Sequence, residues 1–244
     1  MDINNKVALV TGGAHRVGKA IALELARAGA HVIVHYHSAG AAVTQTVAEI
    51  EALGVRALPV QADLSTAAGI EALFAATAAA FGGLDVLVNS AASMEASDVL
   101  TVTREAWQRV LDLNLTAPFF CAQAAARLMA GRAGGGAIVN IGDLAGRQPW
   151  AKYPAHSVSK AGVEMVTKVL AKALAPEIRV NAVAPGPVMK PDDWDDARWA
   201  RSGDHTLLKR PGSGYDVARA VLFLLEAEYI TGETLVVDGG RLIA

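Results

Sequence analysis

Val7-Ala8-Leu9-Val10-Thr11-Gly12-Gly13-Ala14-His15-Arg16-Val17-Gly18 runs from four consecutive apolar residues straight into a glycine-containing turn. The apolar run suits a strand covered on both faces. Beyond the turn, Val17, Ile21 and Leu25 recur at i, i+4 and i+8, the spacing of one helix face, and Gly29 stands where that helix is expected to end. A helix that begins directly after a buried strand points its first backbone N–H groups, and the positive end of its dipole, beyond the strand's carboxyl end. That is a place for a phosphate. Glycines also serve the sterics of a tight turn, so the motif alone does not decide the matter. Its position as the first strand-turn-helix of an alternating chain points to a dinucleotide.

Outward from this segment, strand candidates fall at 7–11, 31–35, 57–61, 86–89, 137–141, 179–183 and 234–237, separated by stretches long enough for crossover helices. The alternation predicts an α/β fold of Rossmann type: a doubly wound, seven-stranded, mostly parallel sheet with helices on both faces, in one domain over 1–244. With 244 residues, 52% of them hydrophobic and 19% charged, the chain can bury a large core, which excludes a disordered or low-complexity scaffold. The Ala-rich stretch 75–80 reads as helix surface and the Gly-rich stretch 131–136 as a loop, with no repeat or linker. The segment from 185 to 214 is the most irregular, with Pro and Gly, four acids in Asp192, Asp193, Asp195 and Asp196, and the bulky Trp194 and Trp199. A substrate lid over about 187–213 is expected there.

Twenty-two Lys and Arg against 24 Asp and Glu leave a formal charge of −2, so no basic field exists to hold nucleic acid or an anionic membrane. The lone cysteine, Cys121, has no partner for an intrachain disulfide. The first residues lack the order of a secretory signal, and no apolar run approaches the length of a membrane span. A cytoplasmic location is expected.

At the end of the second strand an acidic residue would bind both ribose hydroxyls of NAD, but the segment here is His35-Tyr36-His37-Ser38. That absence favours NADP(H), with Arg16, His37 and Ser38 as phosphate partners. His35 and His37 sit at i, i+2 without a third ligand near in sequence, so no metal is expected. Asp63 either accepts from the adenine amino group or caps the helix that follows.

Taken together, Thr11-Gly12 to Gly18, Asn89-Ser90-Ala91-Ala92, Asn114, Lys160 and Pro185-Gly186 resemble the short-chain dehydrogenase/reductase family over nearly the whole chain. Within it the sequence is most similar to the pteridine reductases: Arg16 stands where most members have glycine, His35 to Ser38 matches their second strand end, and Asp143 occupies the usual serine position. The resemblance implies a cofactor set of Gly12, His15, Arg16, Val17, Tyr36, His37, Ser38, Asp63, Leu64, Asn89, Ser90 and Ala91. It adds Lys160 on the nicotinamide ribose, Pro185, Gly186 and Val188 over the nicotinamide, and a homotetramer.

Three positions depart from the family. The catalytic tyrosine normally lies four residues before the lysine and thirteen after the serine; counted from Lys160 and from Asp143, both arrive at His156. Met94 falls where pteridine reductases tend to carry an aromatic side chain. Ser90 replaces an asparagine. The implied catalytic set is Asp143, His156, Lys160, Asn114 and Tyr153, and the substrate set Arg16, Met94, Asp143, Tyr153 and Trp194.

Hydride transfer belongs to the cofactor, so the protein must position the nicotinamide and manage one proton. Lys160 and an oxidised nicotinamide oppose an imidazolium at His156, whereas Asp143 favours it. Tyr153, one helical turn earlier, is a second proton source. Three functions fit: an NADPH-dependent reductase of a dihydropterin-like heterocycle or small carbonyl, a 3-oxoacyl thioester reductase, or a nucleotide-binding sensor or oligomer partner without turnover.

Overall fold

In a computed structural model, which describes residues 1–38, 40–132, 134–191 and 194–244, strands and helices alternate along the chain. The strands are β1 (Val7–Val10), β2 (His31–Tyr36), β3 (Ala57–Gln61), β4 (Val86–Asn89), β5 (Gly136–Ile141), β6 (Ile178–Pro185) and β7 (Thr234–Val237). The helices are α1 (Arg16–Arg27), α2 (Ala41–Glu51), α3 (Ala67–Phe81), α4 (Arg104–Leu111), α5 (Ala117–Met129), α6 (Pro154–Leu174), α7 (Asp196–Arg201) and α8 (Gly214–Glu226). The strands form one seven-stranded sheet of order β3-β2-β1-β4-β5-β6-β7, and every pairing is parallel.

The period of two in β1 explains why both faces are covered. Ala8 and Val10 pack with Val32, Val34, Val86 and Val88 against Ile21 and Leu25 of α1 and Val217, Val221 and Leu225 of α8. Val7 and Leu9 point to the other face, where Ile33, Leu87 and Ile138 meet Leu73 and Phe74 of α3, Cys121 and Ala125 of α5 and Leu170 of α6.

β1 ends at Val10, one residue short of the reading from sequence. The Thr11 hydroxyl instead accepts from the backbone N–H of Ser90 and of Ala91, at 2.9 and 3.0 Å, and so ties the end of β1 to the chain leaving β4. β3 and β4 flank opposite sides of the β2–β1 pair, so the connections after β1 and β4 diverge and open a crevice at the strands' carboxyl ends. At the opposite end of the sheet, buried Asp85 accepts from Val7 N and from two nitrogens of Arg132 at 2.9 to 3.1 Å.

The 187–213 segment is more regular than its composition suggests. It carries α7, capped by Asp195 accepting from Arg198 N at 2.6 Å, then a 3-10 turn at Ser202–His205. Asp196 pairs with Lys190 at 2.6 Å, whereas Asp192 and Asp193 lie outside the described residues. No helix among the described residues is long and apolar enough to cross a membrane.

Candidate functional site

The crevice holds a cleft of about 590 Å³. Gly12, His15, Arg16 and Val17 form one wall, at the start of α1. Tyr36, His37 and Ser38 line it from the end of β2, Asp63 and Leu64 from the chain after β3, and Ser90 and Ala91 from the chain after β4. Eleven residues expected from sequence therefore share one cavity.

The turn is built for a close approach. Gly12 has φ +64, and a Cβ at Gly18 would collide with the Gly12 carbonyl, so the first turn of α1 can sit against the loop only because residue 18 is glycine. Arg16 holds φ +53, a left-handed conformation that costs a side chain on the order of 1 kcal/mol and that glycine would adopt freely. From there its guanidinium donates to the Lys190 carbonyl at 3.3 Å, which links the cofactor loop to the segment after β6. The donor set fits a phosphorylated dinucleotide: helix-start N–H groups at the crevice, Arg16, exposed His37 and Ser38, and no carboxylate at the end of β2.

The second half of the site gathers where β5, α5 and α6 converge. Asp143 follows β5; its Oδ1 caps a 3-10 turn by accepting from Ala145 N at 2.7 Å, and its Oδ2 lies 3.5 Å from Nε2 of His156. The two oxygens of Asp143 thus have separate neighbours, the 3-10 turn and the His156 ring. His156 is 4% exposed, and its Nε2 makes no hydrogen bond among the described residues; the 3.5 Å contact to Asp143 is too long for a strong hydrogen bond and is an ion pair only when the ring is protonated. Nδ1 lies 3.2 Å from the Ser93 carbonyl and 3.3 Å from Asn114 Nδ2. Ser93 lines the cleft, so the His156 cluster adjoins it.

A single π turn, Asp112–Thr116, separates α4 from α5 and carries buried Asn114 toward Ser93 and His156. Lys160, one turn after His156, donates to the Ile141 carbonyl at 2.7 Å. Burial lowers its pKa to about 8, and the Asp143 carboxylate opposes that shift. Tyr153 precedes Pro154 at the first position of α6, as expected. Its ring packs edge-on against Trp150, which also stacks on His156 with centroids 6.3 Å apart.

Asn89, Asp63 and Val188 are placed otherwise than the sequence suggested, whereas Pro185, Gly186, Trp194 and Met94 are described by their local partners. Asn89 does not present its side chain to the cleft: Nδ2 donates to Pro118 O at 3.2 Å and Asn140 Oδ1 at 2.9 Å, because a buried amide between two strands must find partners there. Asp63 does not cap α3; Thr66 does, while Asp63 Oδ1 accepts from the Ser65 backbone and hydroxyl in a local turn. The Val188 side chain is buried in the core and faces a separate cavity with Leu207 and Leu208. Pro185 ends β6, and Gly186 N–H donates to Val237 O, so both are held by β7. Trp194 is covered by the Arg198 guanidinium at 4.1 Å, and Met94 is half exposed beside Ser93.

Trp150, Ser93 and Ser159 were not singled out in the sequence. An aromatic six residues before His156 was the one signal for Trp150; the others act through backbone groups or neighbours that no spacing reveals.

The family model described as Enoyl-(Acyl carrier protein) reductase matches residues 12–241. A 3-oxoacyl-[acyl-carrier-protein] reductase of Synechocystis is 39% identical over 98% of this chain and 97% of its own length. A 3beta-hydroxysteroid dehydrogenase of Eggerthella lenta is 38% identical over 98% and 94%. Among solved structures, a putative short-chain alcohol dehydrogenase from Sinorhizobium meliloti superposes with TM-score 0.93 at 36% identity, covering 100% of this chain and 98% of that one. A blue fluorescent protein from a metagenomic library, in complex with NADPH, gives TM-score 0.90 at 35% identity, with 99% of each chain covered. The sheet order, the glycine turn over the crevice and these relatives agree: the chain belongs to the short-chain dehydrogenase/reductase family.

Proposed function

We propose that this protein is an NADP(H)-dependent oxidoreductase that interconverts a carbonyl and its alcohol, with His156 and Asp143 handling the proton. The observation that carries the reading is the 3.5 Å approach of Asp143 Oδ2 to His156 Nε2, with Lys160 buried one turn away. The cofactor preference rests on Arg16, His37 and Ser38 at the cleft and on the relative that binds NADPH. The sequence alone left a dihydropterin-like heterocycle and a small carbonyl open, with a 3-oxoacyl thioester as an alternative; relatives named for 3-oxoacyl, steroid and sugar substrates favour the carbonyl.

The dinucleotide supplies or accepts hydride at its nicotinamide. Gly12 and the start of α1 would hold its pyrophosphate, and Lys160, whose ammonium also donates to the Ile141 carbonyl, would orient the adjacent ribose. His156 then meets the substrate oxygen, exchanges one proton with it, and is kept in place by Trp150, Ser93 and Asp143. Residues 187–213 act as the lid, tethered through Arg16 to the cofactor loop. The assembly is a homotetramer, for which half-exposed Phe120, Val158, Met165 and Val169 on α5 and α6 offer apolar surface; light scattering tests it.

The test is NADPH consumption with a 3-oxoacyl thioester, simple ketones, a quinone and dihydrobiopterin, for wild type, His156→Phe and His156→Tyr. Turnover of a carbonyl that His156→Phe abolishes, while NADPH affinity stays within about three-fold, supports the reading. Tight NADPH binding without turnover of any substrate overturns it in favour of a nucleotide-binding protein without catalysis. Turnover confined to dihydrobiopterin restores the dihydropterin reading.

A further inference from the structure

We infer that Trp150 is a gate over the His156 ring: in the closed arrangement its indole lies on the imidazole, and it must turn away before a substrate oxygen reaches Nε2. The inference rests on the carbonyl–alcohol reading of the site, in which His156 meets that oxygen.

The need for a gate follows from the two edges of the imidazole. The Nδ1 edge is taken, with the Ser93 carbonyl at 3.2 Å and Asn114 Nδ2 at 3.3 Å. The Nε2 edge is the one left for a substrate, because among the described residues it has no hydrogen-bond partner and Asp143 Oδ2 stays 3.5 Å away. Yet Nε2 is buried, and the cleft is lined by the neighbouring Ser93 but not by the ring itself. A buried nitrogen without a partner is costly, and a second state in which it meets a ligand accounts for it. A substrate oxygen that exchanges a proton with Nε2 has to come within about 3 Å of it, so a group that now covers the ring has to leave.

Of the groups around the ring, Trp150 is the least tied. Asn114 is bonded to the Ser93 N–H and carbonyl, each at 2.8 Å, and to Ser159 at 3.2 Å, while Asp143 is held by the Ala145 N–H at 2.7 Å. The Trp150 indole has ring contacts instead: it stacks on His156 with planes 20° apart and meets Tyr153 edge-on. It is half-buried, and its N–H finds no acceptor among the described residues. Its backbone is pinned, the Trp150 N–H donating to Ser157 Oγ at 3.2 Å and the carbonyl accepting from the Tyr153 N–H at 2.8 Å. The movement is therefore a rotamer change on a fixed Cα, in the connection that leads into α6. Space for the turned ring lies beside it, in a surface cavity of about 650 Å³ lined by the next two residues, Ala151 and Lys152, with Ser97, Val99 and Leu100. Once the indole has left, Ser93 and Asp143 still flank the imidazole. Every substrate has to displace Trp150, so its affinity is reduced by the fraction of molecules in which the gate stands open.

Carbethoxylation of the full chain by diethyl pyrocarbonate at neutral pH, assigned to each of the six histidines by peptide mass spectrometry, tests this without substrate. Wild-type His156 is expected to react at least about ten-fold more slowly than exposed His37, and Trp150→Ala to speed it by about ten-fold. Buried His35, with both ring nitrogens bonded, should stay slow in each protein and so report an intact fold. A wild-type His156 as reactive as His37 overturns the inference, as does a rate unchanged by Trp150→Ala. Should His35 react in Trp150→Ala, showing that it has unfolded, Trp150→Phe decides by the same comparison, its smaller ring giving an intermediate rate. With an acetoacetyl thioester as substrate, Trp150→Ala should lower KM by about three- to ten-fold and change kcat less; an unchanged KM overturns the gate. An uncovered His156 in a protein that turns over no carbonyl supports the gate and counts against the proposed function.

Discussion

Gly12 donates its backbone N–H to Nδ1 of His35 at 3.0 Å, and Nε2 of the same ring lies 3.1 Å from the Ala62 carbonyl. A backbone N–H can only donate, so Nδ1 is bare, Nε2 carries the hydrogen, and buried His35 is neutral. The ring joins the glycine turn, β2 and the chain after β3, so the glycine turn of the cleft rests on a buried histidine.

That neutrality has a pH consequence. Burial lowers the pKa of His35 below the ordinary histidine value, with His37 adding to the shift and the Ala62 carbonyl and Asp63 opposing it. The unfolded chain therefore takes up the proton first, and stability is lost as pH falls through and below the ordinary value of about 6.5. A proton on Nδ1 would also face the Gly12 N–H. NADPH affinity and melting temperature are expected to fall together below about pH 6.5, read by fluorescence titration and thermal scans; a flat profile from pH 8 to 5 contradicts the assignment.

Lys160 has the opposite balance between function and stability. Its folded pKa, about 8, lies below its ordinary 10.5, so the burial cost of the charged amine is fully present below pH 8 and fades as pH rises toward 10.5. Lys160→Met should unfold at higher urea than wild type at pH 7, by on the order of 1–3 kcal/mol, and the gap should narrow toward pH 10. The same variant should lose turnover. Equal stability of the two proteins at pH 7 would show that the ammonium is better solvated than its burial implies.

Asp85 is buried at the end of the sheet away from the cleft, with Arg132, Val7 N and Lys6 around it. Asp85→Ala leaves a buried N–H and a guanidinium without their acceptor and should cost about 2–4 kcal/mol in urea unfolding, because Arg132 is one-third exposed and partly recovers water. NADPH affinity at saturating stability should stay within about two-fold. A large loss of affinity would mean that the two ends of the sheet are coupled.

Cys121 sits within α5 against the sheet, and burial pushes its thiol up to about 12. An aromatic disulfide reagent should leave the native protein unmodified at pH 8 and label one thiol per chain in denaturant. Rapid labelling of the native form would indicate that α5 opens locally.

Much of this architecture is legible along the chain. Apolar strands of period two with β-branched residues, and the i, i+4, i+8 face of α1, are local signals, and the seven strands fall within a few residues of where they were read. The meeting of Asp143, His156 and Lys160 was also legible, because a fixed spacing on one helix and one strand end carries them together. Asn89 was misread for the converse reason: its neighbours Asn140 and Pro118 are 51 and 29 residues away, and only packing determines whether an amide faces a crevice or a core. The same holds for His35, whose partners Gly12 and Ala62 come from two other connections, and for Trp150, which meets His156 only once α6 has docked. Short-range pattern is sufficient where the physics is periodic or nearest-neighbour. The protonation of a ring and the direction of a buried amide depend on hydrogen-bond partners supplied by distant segments, and these exist only in the folded chain.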